Sequence, residues 1–212
     1  MATTYLSQTF STTGTSTTKF TFSAWIKRAN IGATNRILTA GGSTRDGLVF
    51  GPDVFQFFCG SNVSGEVNPF VTNRKFRDTS GWYHIVVSGD STQSGASNQV
   101  KLYVNGVLET SFSSQQAVGI NTPWYFGSNI LNRIGTDTNS LNGYFDGSMS
   151  HVHFSDGYIY PASTFGSTDA TTGEWKINAN PTFTLGTNGY TILKDGNTIT
   201  DQSTNSNNWT LG

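Results

Sequence analysis

Charge is scarce in this chain. Only 12% of its 212 residues are Asp, Glu, Lys or Arg, and 13 acidic against 12 basic side chains leave a net charge of −1. A typical globular chain carries about twice that share. Twelve cations spread along the sequence build no basic patch, which argues against nucleic acid as a partner. Cysteine is limited to Cys59, so no internal disulfide forms and nothing marks an oxidising compartment. No apolar stretch approaches the length of a membrane span, and no membrane partner is expected. Met1–Phe10 lacks the basic start and apolar run of a signal peptide, so none is read there. Good helix formers are few, and no window holds apolar residues at helical spacing for three turns.

What fills the space is Thr, Ser, Asn and Gly, with 24 Gly, together with 15 Phe, 8 Tyr and 5 Trp. The polar residues favour turns and exposed strand faces. The aromatics supply the bulk of a core, so low charge does not mean disorder here. Asp46, Asn105, Asn142, Asp146, Asp156, Asn188 and Asp195 each precede a glycine, a dipeptide suited to tight turns. Between these lie short alternating segments. In Lys19–Lys27, Phe20, Phe22, Ala24 and Ile26 share one face, while Thr21, Ser23 and Trp25 share the other. Arg36–Ala40, Gly47–Phe50 and Val54–Phe58 read as further strands. Trp82–Val87 is apolar on both faces, as a central covered strand would be. Gln99–Val104 turns at Asn105-Gly106 into Val107–Phe112, a hairpin pattern. Leu131–Gly135 and Tyr144–Ser155 complete the set. The expectation is an all-β, two-sheet antiparallel sandwich over residues 1–160. Residues 161–212 form a C-terminal extension packed on the sandwich or on a neighbouring chain.

Four blocks carry a resemblance. Phe20-Thr21-Phe22-Ser23-Ala24-Trp25-Ile26-Lys27 resembles the opening strand of laminin-G-like jelly rolls. Gly81-Trp82-Tyr83-His84-Ile85-Val86-Val87 is similar to their strand with a Trp and a His before a hydrophobic run. Val100-Lys101-Leu102-Tyr103-Val104-Asn105-Gly106 resembles the hairpin that follows, and Gly143–Ser150 the closing strand. The resemblance implies a concanavalin-A-like jelly roll. Beyond residue 160, Phe165-Gly166, Thr172-Gly173-Glu174-Trp175, Gly186-Thr187-Asn188-Gly189-Tyr190 and Asn207-Asn208-Trp209-Thr210 resemble the extension such domains carry in virion proteins of marine tailed bacteriophages. That implies a non-enzymatic decoration, head-fibre or tail-appendage module on the virion surface, made in the host cytoplasm. Its partners would be other virion proteins and copies of itself in a homo-oligomer. Host-surface glycans are the alternative partner, bound in the manner of a lectin.

Catalysis finds no residues to perform it. Retaining glycoside hydrolysis needs two carboxylates roughly 5 Å apart, yet Glu66, Glu109 and Glu174 each lack an acidic residue two positions away. No nucleophile elbow surrounds any serine. Cys59 follows Phe57-Phe58 and reads as a small buried hydrophobe. His84, within an apolar strand, reads as a structural imidazole. No cofactor is expected. His151 and His153 at i and i+2 would share one strand face and could offer two nitrogens to a metal ion, although a solvated pair is the plainer reading. Calcium is the other metal to weigh, because Asp137, Asn139, Asn142 and Asp146 cluster in one loop region with oxygen ligands. Trp25 and Tyr103 fall out of phase with the apolar face and are the candidates for stacking on a glycan.

Overall fold

The computed structural model describes residues 3–60 and 66–212. In chain order its strands begin with β1 (Leu6–Thr9), β2 (Lys19–Arg28), β3 (Asn35–Gly41), β4 (Arg45–Phe50) and β5 (Phe55–Cys59). β6 (Val67–Thr72), β7 (Tyr83–Asp90), β8 (Val100–Val104), β9 (Val107–Leu108) and β10 (Phe112–Ser114) follow. The remainder are β11 (Leu131–Ile134), β12 (Gly147–Asp156), β13 (Gly166–Thr168), β14 (Trp175–Ile177), β15 (Tyr190–Ile192) and β16 (Thr210–Leu211). One four-residue helical turn, Ala96–Gln99, precedes β8. The fold is therefore all-β, as the alternating pattern requires.

Two large antiparallel sheets make the sandwich. One has eight strands in the order β10-β6-β5-β4-β3-β11-β1-β16, and the other six in the order β15-β12-β2-β7-β8-β9. β13 and β14 form a separate small hairpin. On the inner face of the six-stranded sheet, Phe20, Phe22, Ala24 and Ile26 of β2 are buried together with Ile85, Val87, Leu102, Val152 and Phe154. They meet Leu38, Leu48, Phe57 and Phe70 of the facing sheet in one continuous core. Phe20 sits at its centre, edge-on to Phe57 at 6.0 Å and to Trp124 at 5.8 Å, a geometry that suits aromatic quadrupoles.

The Asp46-Gly47 dipeptide is not a turn. Both residues lie inside β4, with Gly47 opposite Phe58 of β5. A side chain at Gly47 would run into the Phe58 ring, whose carbon lies 2.3 Å from where a Cβ would sit. Here glycine serves close packing across strands rather than a reversal of the chain.

The C-terminal segment joins the sandwich in three places. β15 pairs with β12 at the edge of the six-stranded sheet, and β16 pairs with β1 in the other. Tyr190, Ile192 and Trp209 are buried in the main core. A second cluster forms where Ala162 and Phe165, with Tyr160, Trp175 and Phe183, cover Val86 and Tyr103 on the outer face of the six-stranded sheet. The apolar character of Trp82–Val87 on both faces is thereby explained. Ile85 and Val87 face the main core, and Val86 faces the C-terminal segment.

Candidate functional site

The outer face of the six-stranded sheet is built by alternation. Because β2 and β7 are in register with Trp25 opposite His84 and Ser23 opposite Val86, residues 23 and 25 project outward beside residues 84 and 86. Trp25 and His84 stack as a cross-strand pair, with ring centroids 5.0 Å apart and planes 21° from parallel. Trp82, two residues before His84, keeps the same phase and is 41% exposed.

Trp175, at the start of β14, reaches this row from the C-terminal segment. Its indole N–H donates to Nδ1 of His84 at 3.0 Å. Nδ1 is therefore the acceptor, and the proton sits on Nε2, which donates to Ser23 Oγ at 2.9 Å. Burial holds the His84 pKa down to about 3, so the imidazole is neutral and fixed in one tautomer at ordinary pH. Gly106, with φ +81°, and Gly166 both lie against the Trp175 ring, where a Cβ would come within 2.4 and 2.6 Å of it. Two glycines thus admit one indole, and a hydrogen bond orients it.

The result is a cleft of about 420 Å³ lined by Trp25, Trp82, Ser150, His151, Glu174, Trp175, Lys176 and Ile177. Three indoles share one concavity, with a hydroxyl, an imidazole and a carboxylate among them. The Trp25 N–H is buried without an acceptor. Such a surface can stack on a flat, partly apolar ligand and hydrogen-bond its polar edge.

Of the residues expected from sequence, Trp25 lines this cleft and Tyr103 does not, because Tyr103 lies half-buried under Phe165 and Trp175. Trp82 and Trp175 were not among the expected stacking residues. The phase of Trp82 with His84 was the available signal for one of them. Trp175 had none, since a contact from a segment some 90 residues downstream leaves no local periodicity.

The His151–His153 pair shares the outer face, with ring centroids 6.3 Å apart. β12 carries a bulge between Ser150 and His153 against β2, and His151 adopts a left-handed backbone with φ 48°, yet both imidazoles stay on that face while Val152 is buried in the main core. The pair is not a solvated one, however. His153 is buried against Phe165 and Phe183, with Nδ1 on Thr191 Oγ1 at 3.0 Å. Burial, reinforced by the adjoining His151 and His84 imidazoles and by Lys194, holds its pKa at about 3. His151 Nδ1 meets Ser150 Oγ at 2.7 Å.

The calcium candidates are engaged elsewhere. Asp137 is fully buried, with its carboxylate 2.8 Å from the Arg36 guanidinium and 3.1 Å from that of Arg45. These are charge contacts, since Arg45 Nε and Asp137 Oδ2 lack aligned hydrogen bonds. Asp137 Oδ1 also accepts the Asn139 N–H at 2.8 Å. Asn142 spends its amide on Ser140 at 2.7 Å, and Asp146 meets Asn35 through its backbone N–H at 3.1 Å. Among the described residues, no group of three His, Cys, Asp or Glu side chains is placed to hold a metal ion.

Cys59 is buried, and burial pushes its thiol pKa up. Nearby Asp46 is also buried. Its Oδ2 accepts the Tyr125 N–H at 2.7 Å, yet desolvation outweighs that bond and raises its pKa from 3.8 to about 7.

Residues 2–164 match the model of the Laminin_G_3 family, described as the concanavalin A-like lectin/glucanases superfamily. Among solved structures, a heptameric pentraxin from Limulus polyphemus is similar, with a TM-score of 0.55 and 13% identity over 82% of this chain and 85% of that one. Domain 4 of the arabinanase AbnA from Geobacillus stearothermophilus, solved with arabinotriose, has a TM-score of 0.51. Its identity is 23%, over 69% of this chain and 65% of that one. The CBM40 domain of the IT-sialidase from Ruminococcus gnavus has a TM-score of 0.50 and 14% identity, over 70% of this chain and 80% of that one. At these identities the likeness is one of fold. No curated protein matches the chain.

Proposed function

Because this chain belongs to the Laminin_G_3 family of concanavalin A-like domains, we propose that it is a non-catalytic carbohydrate-binding module whose sugar platform is the tryptophan cleft. One observation carries this reading: Trp25, Trp82 and Trp175 converge on a single open concavity on the outer face of the sheet. The B-face of a pyranose is apolar and its rim is polar, so indole faces bury the one while Ser150, His151 and Glu174 meet the other. Among the described residues Glu174 is the only carboxylate lining the cleft, which leaves no second one there to pair with it for hydrolysis. The arabinotriose-bound domain and the sialidase CBM40 domain, which share this fold, support a sugar ligand. A glycan array probed with the labelled protein tests it. Hits lost on Trp82→Ala and Trp25→Ala are the expected result, and hits that persist in both variants would reject the cleft.

A second reading concerns where such a module works. The blocks around Phe165, Trp175, Tyr190 and Trp209 resemble the extension of tailed-phage virion proteins. The edge strand β9 presents Val107 and Leu108 at 63% and 44% exposure, a bare edge suited to contact with another chain. On this reading the module decorates a phage head, fibre or tail, among other virion proteins and copies of itself. Imaging of the particle, with the module assigned to density at its surface, is the matching test. A particle that assembles without the protein on it would reject the placement.

A further inference from the structure

The proposal here rests on the carbohydrate reading and concerns which sugars the cleft admits. Glu174, Trp175, Lys176 and Ile177 are consecutive residues, and together they form one wall of the cleft. They belong to the β13–β14 hairpin, which begins at Gly166, beyond the stretch 2–164 matched by the family model. The sheet supplies Trp25, Trp82, Ser150 and His151; the appended hairpin supplies the rest.

The hairpin also sets the charge of the cleft. Among the described residues Lys176 is the only cation of fixed charge in the lining, and its Nζ is held by Asp169 Oδ2 at 2.7 Å. That carboxylate is itself fixed by the N–H groups of Thr171 and Thr172, at 2.9 and 2.8 Å. Lys176 is therefore already neutralised within its own hairpin. His151 has its pKa lowered by burial and by the Lys194 cation, so it adds no charge at neutral pH. Among the described residues no arginine lines the cleft. Glu174 is exposed, and its carboxylate has no ion-pair partner among the described residues. The uncompensated charge in the cleft is one negative carboxylate.

A carboxylate accepts well from the hydroxyls of a sugar and repels a sugar that is itself an anion. We infer that the β13–β14 hairpin makes this cleft selective for uncharged sugars, with Glu174 as the acceptor for their hydroxyls, and against sugars bearing carboxylate or sulfate groups. Anionic ligands are normally received by an arginine fork or an unpaired lysine, and this cleft offers neither.

Two oligosaccharide panels test the inference, one of neutral gluco-, galacto- and arabino-oligosaccharides and one of sialylated, uronate and sulfated ones. Binding is measured by titration calorimetry with the whole chain, for the wild type, Glu174→Gln, Glu174→Lys and Trp82→Ala. Neutral ligands alone should bind the wild type. Glu174→Gln, at an exposed position that leaves the fold intact, should weaken them by about fivefold, the difference between a charge-assisted and a neutral hydrogen bond. Glu174→Lys should admit members of the acidic panel. Acidic ligands that bind the wild type and are lost in Trp82→Ala would overturn the selectivity while leaving the platform standing. Unchanged selectivity in Glu174→Lys would overturn the role of Glu174. Binding by neither panel would overturn the carbohydrate reading and this inference with it.

Discussion

Asp46 lies in β4, inside the sandwich, as a buried carboxyl whose only anion stabilisers are backbone N–H groups. Its pKa in the fold, about 7, stands well above the ordinary 3.8, and that difference corresponds to about 4 kcal/mol of linkage. The sign follows from proton counts. Between pH 3.8 and about 7 the native protein keeps a proton that the unfolded chain has released, so stability from this group is complete below pH 3.8 and is lost as pH rises through about 7. About 3 kcal/mol of that loss falls between pH 5 and pH 8. Asp46→Asn removes the titration while retaining a carbonyl acceptor for the Tyr125 N–H. His84 and His153 act in the opposite sense in both proteins. With pKa values of about 3 in the fold, their stabilising contribution is complete above pH 6.5 and is lost as pH falls towards 3, and they cancel when variant and wild type are subtracted. Urea unfolding of both proteins at pH 5 and pH 8 is the assay. The stability of the variant relative to wild type should rise by about 3 kcal/mol from pH 5 to pH 8. A difference that stays flat across those pH values would show that Asp46 is not buried as an acid.

Three other outcomes follow from the packing. Ending the chain at residue 160 removes Tyr190, Ile192 and Trp209 from the core. At about 3 kcal/mol or more for each large buried side chain, the loss of about 9 kcal/mol or more is as large as the whole 5–15 kcal/mol margin of a typical domain, so the truncated protein should lack a cooperative unfolding transition by circular dichroism. Trp175→Phe strips His84 Nδ1 of its donor and should cost about 1–3 kcal/mol in urea unfolding. Trp25→Phe removes an N–H that has no acceptor and should leave stability within about 1 kcal/mol of wild type.

Much of the sandwich is legible in the sequence because each strand has one face in the core. The alternation of Phe20, Phe22, Ala24 and Ile26 places β2 to within a residue, and the Asn105-Gly106 turn joins β8 and β9 where the dipeptide says it should. That hairpin is shorter than its sequence pattern. Phe112 leaves β9 behind and joins β6 in the other sheet as part of β10, a crossing that no local period reports. β1, β15 and β16 escape notice for a related reason, being short edge or near-edge strands that are specified by their partners. The cleft was half legible. Trp25 stands out of phase with its apolar neighbours and is where that phase puts it, on the outer face. His151 and His153 had the spacing of a shared face and keep it, with ring centroids 6.3 Å apart; what a string of residues does not report is that Phe165 and Phe183 bury His153. Tyr103 had the phase of an exposed platform, but the segment that covers it lies some 60 residues downstream.

The claim that this surface is a sugar platform is tested most directly at Trp82. An indole that is 41% exposed, out of about 250 Å² for a large aromatic side chain, offers about 100 Å² to a ligand. At about 25 cal/mol per Å² that is worth up to about 2.5 kcal/mol, or roughly 70-fold in affinity. Titration calorimetry of a neutral oligosaccharide against wild type and Trp82→Ala measures it. Kd should rise by at least about tenfold, of order 1.4 kcal/mol, with the unfolding midpoint unmoved. An unchanged Kd would contradict it.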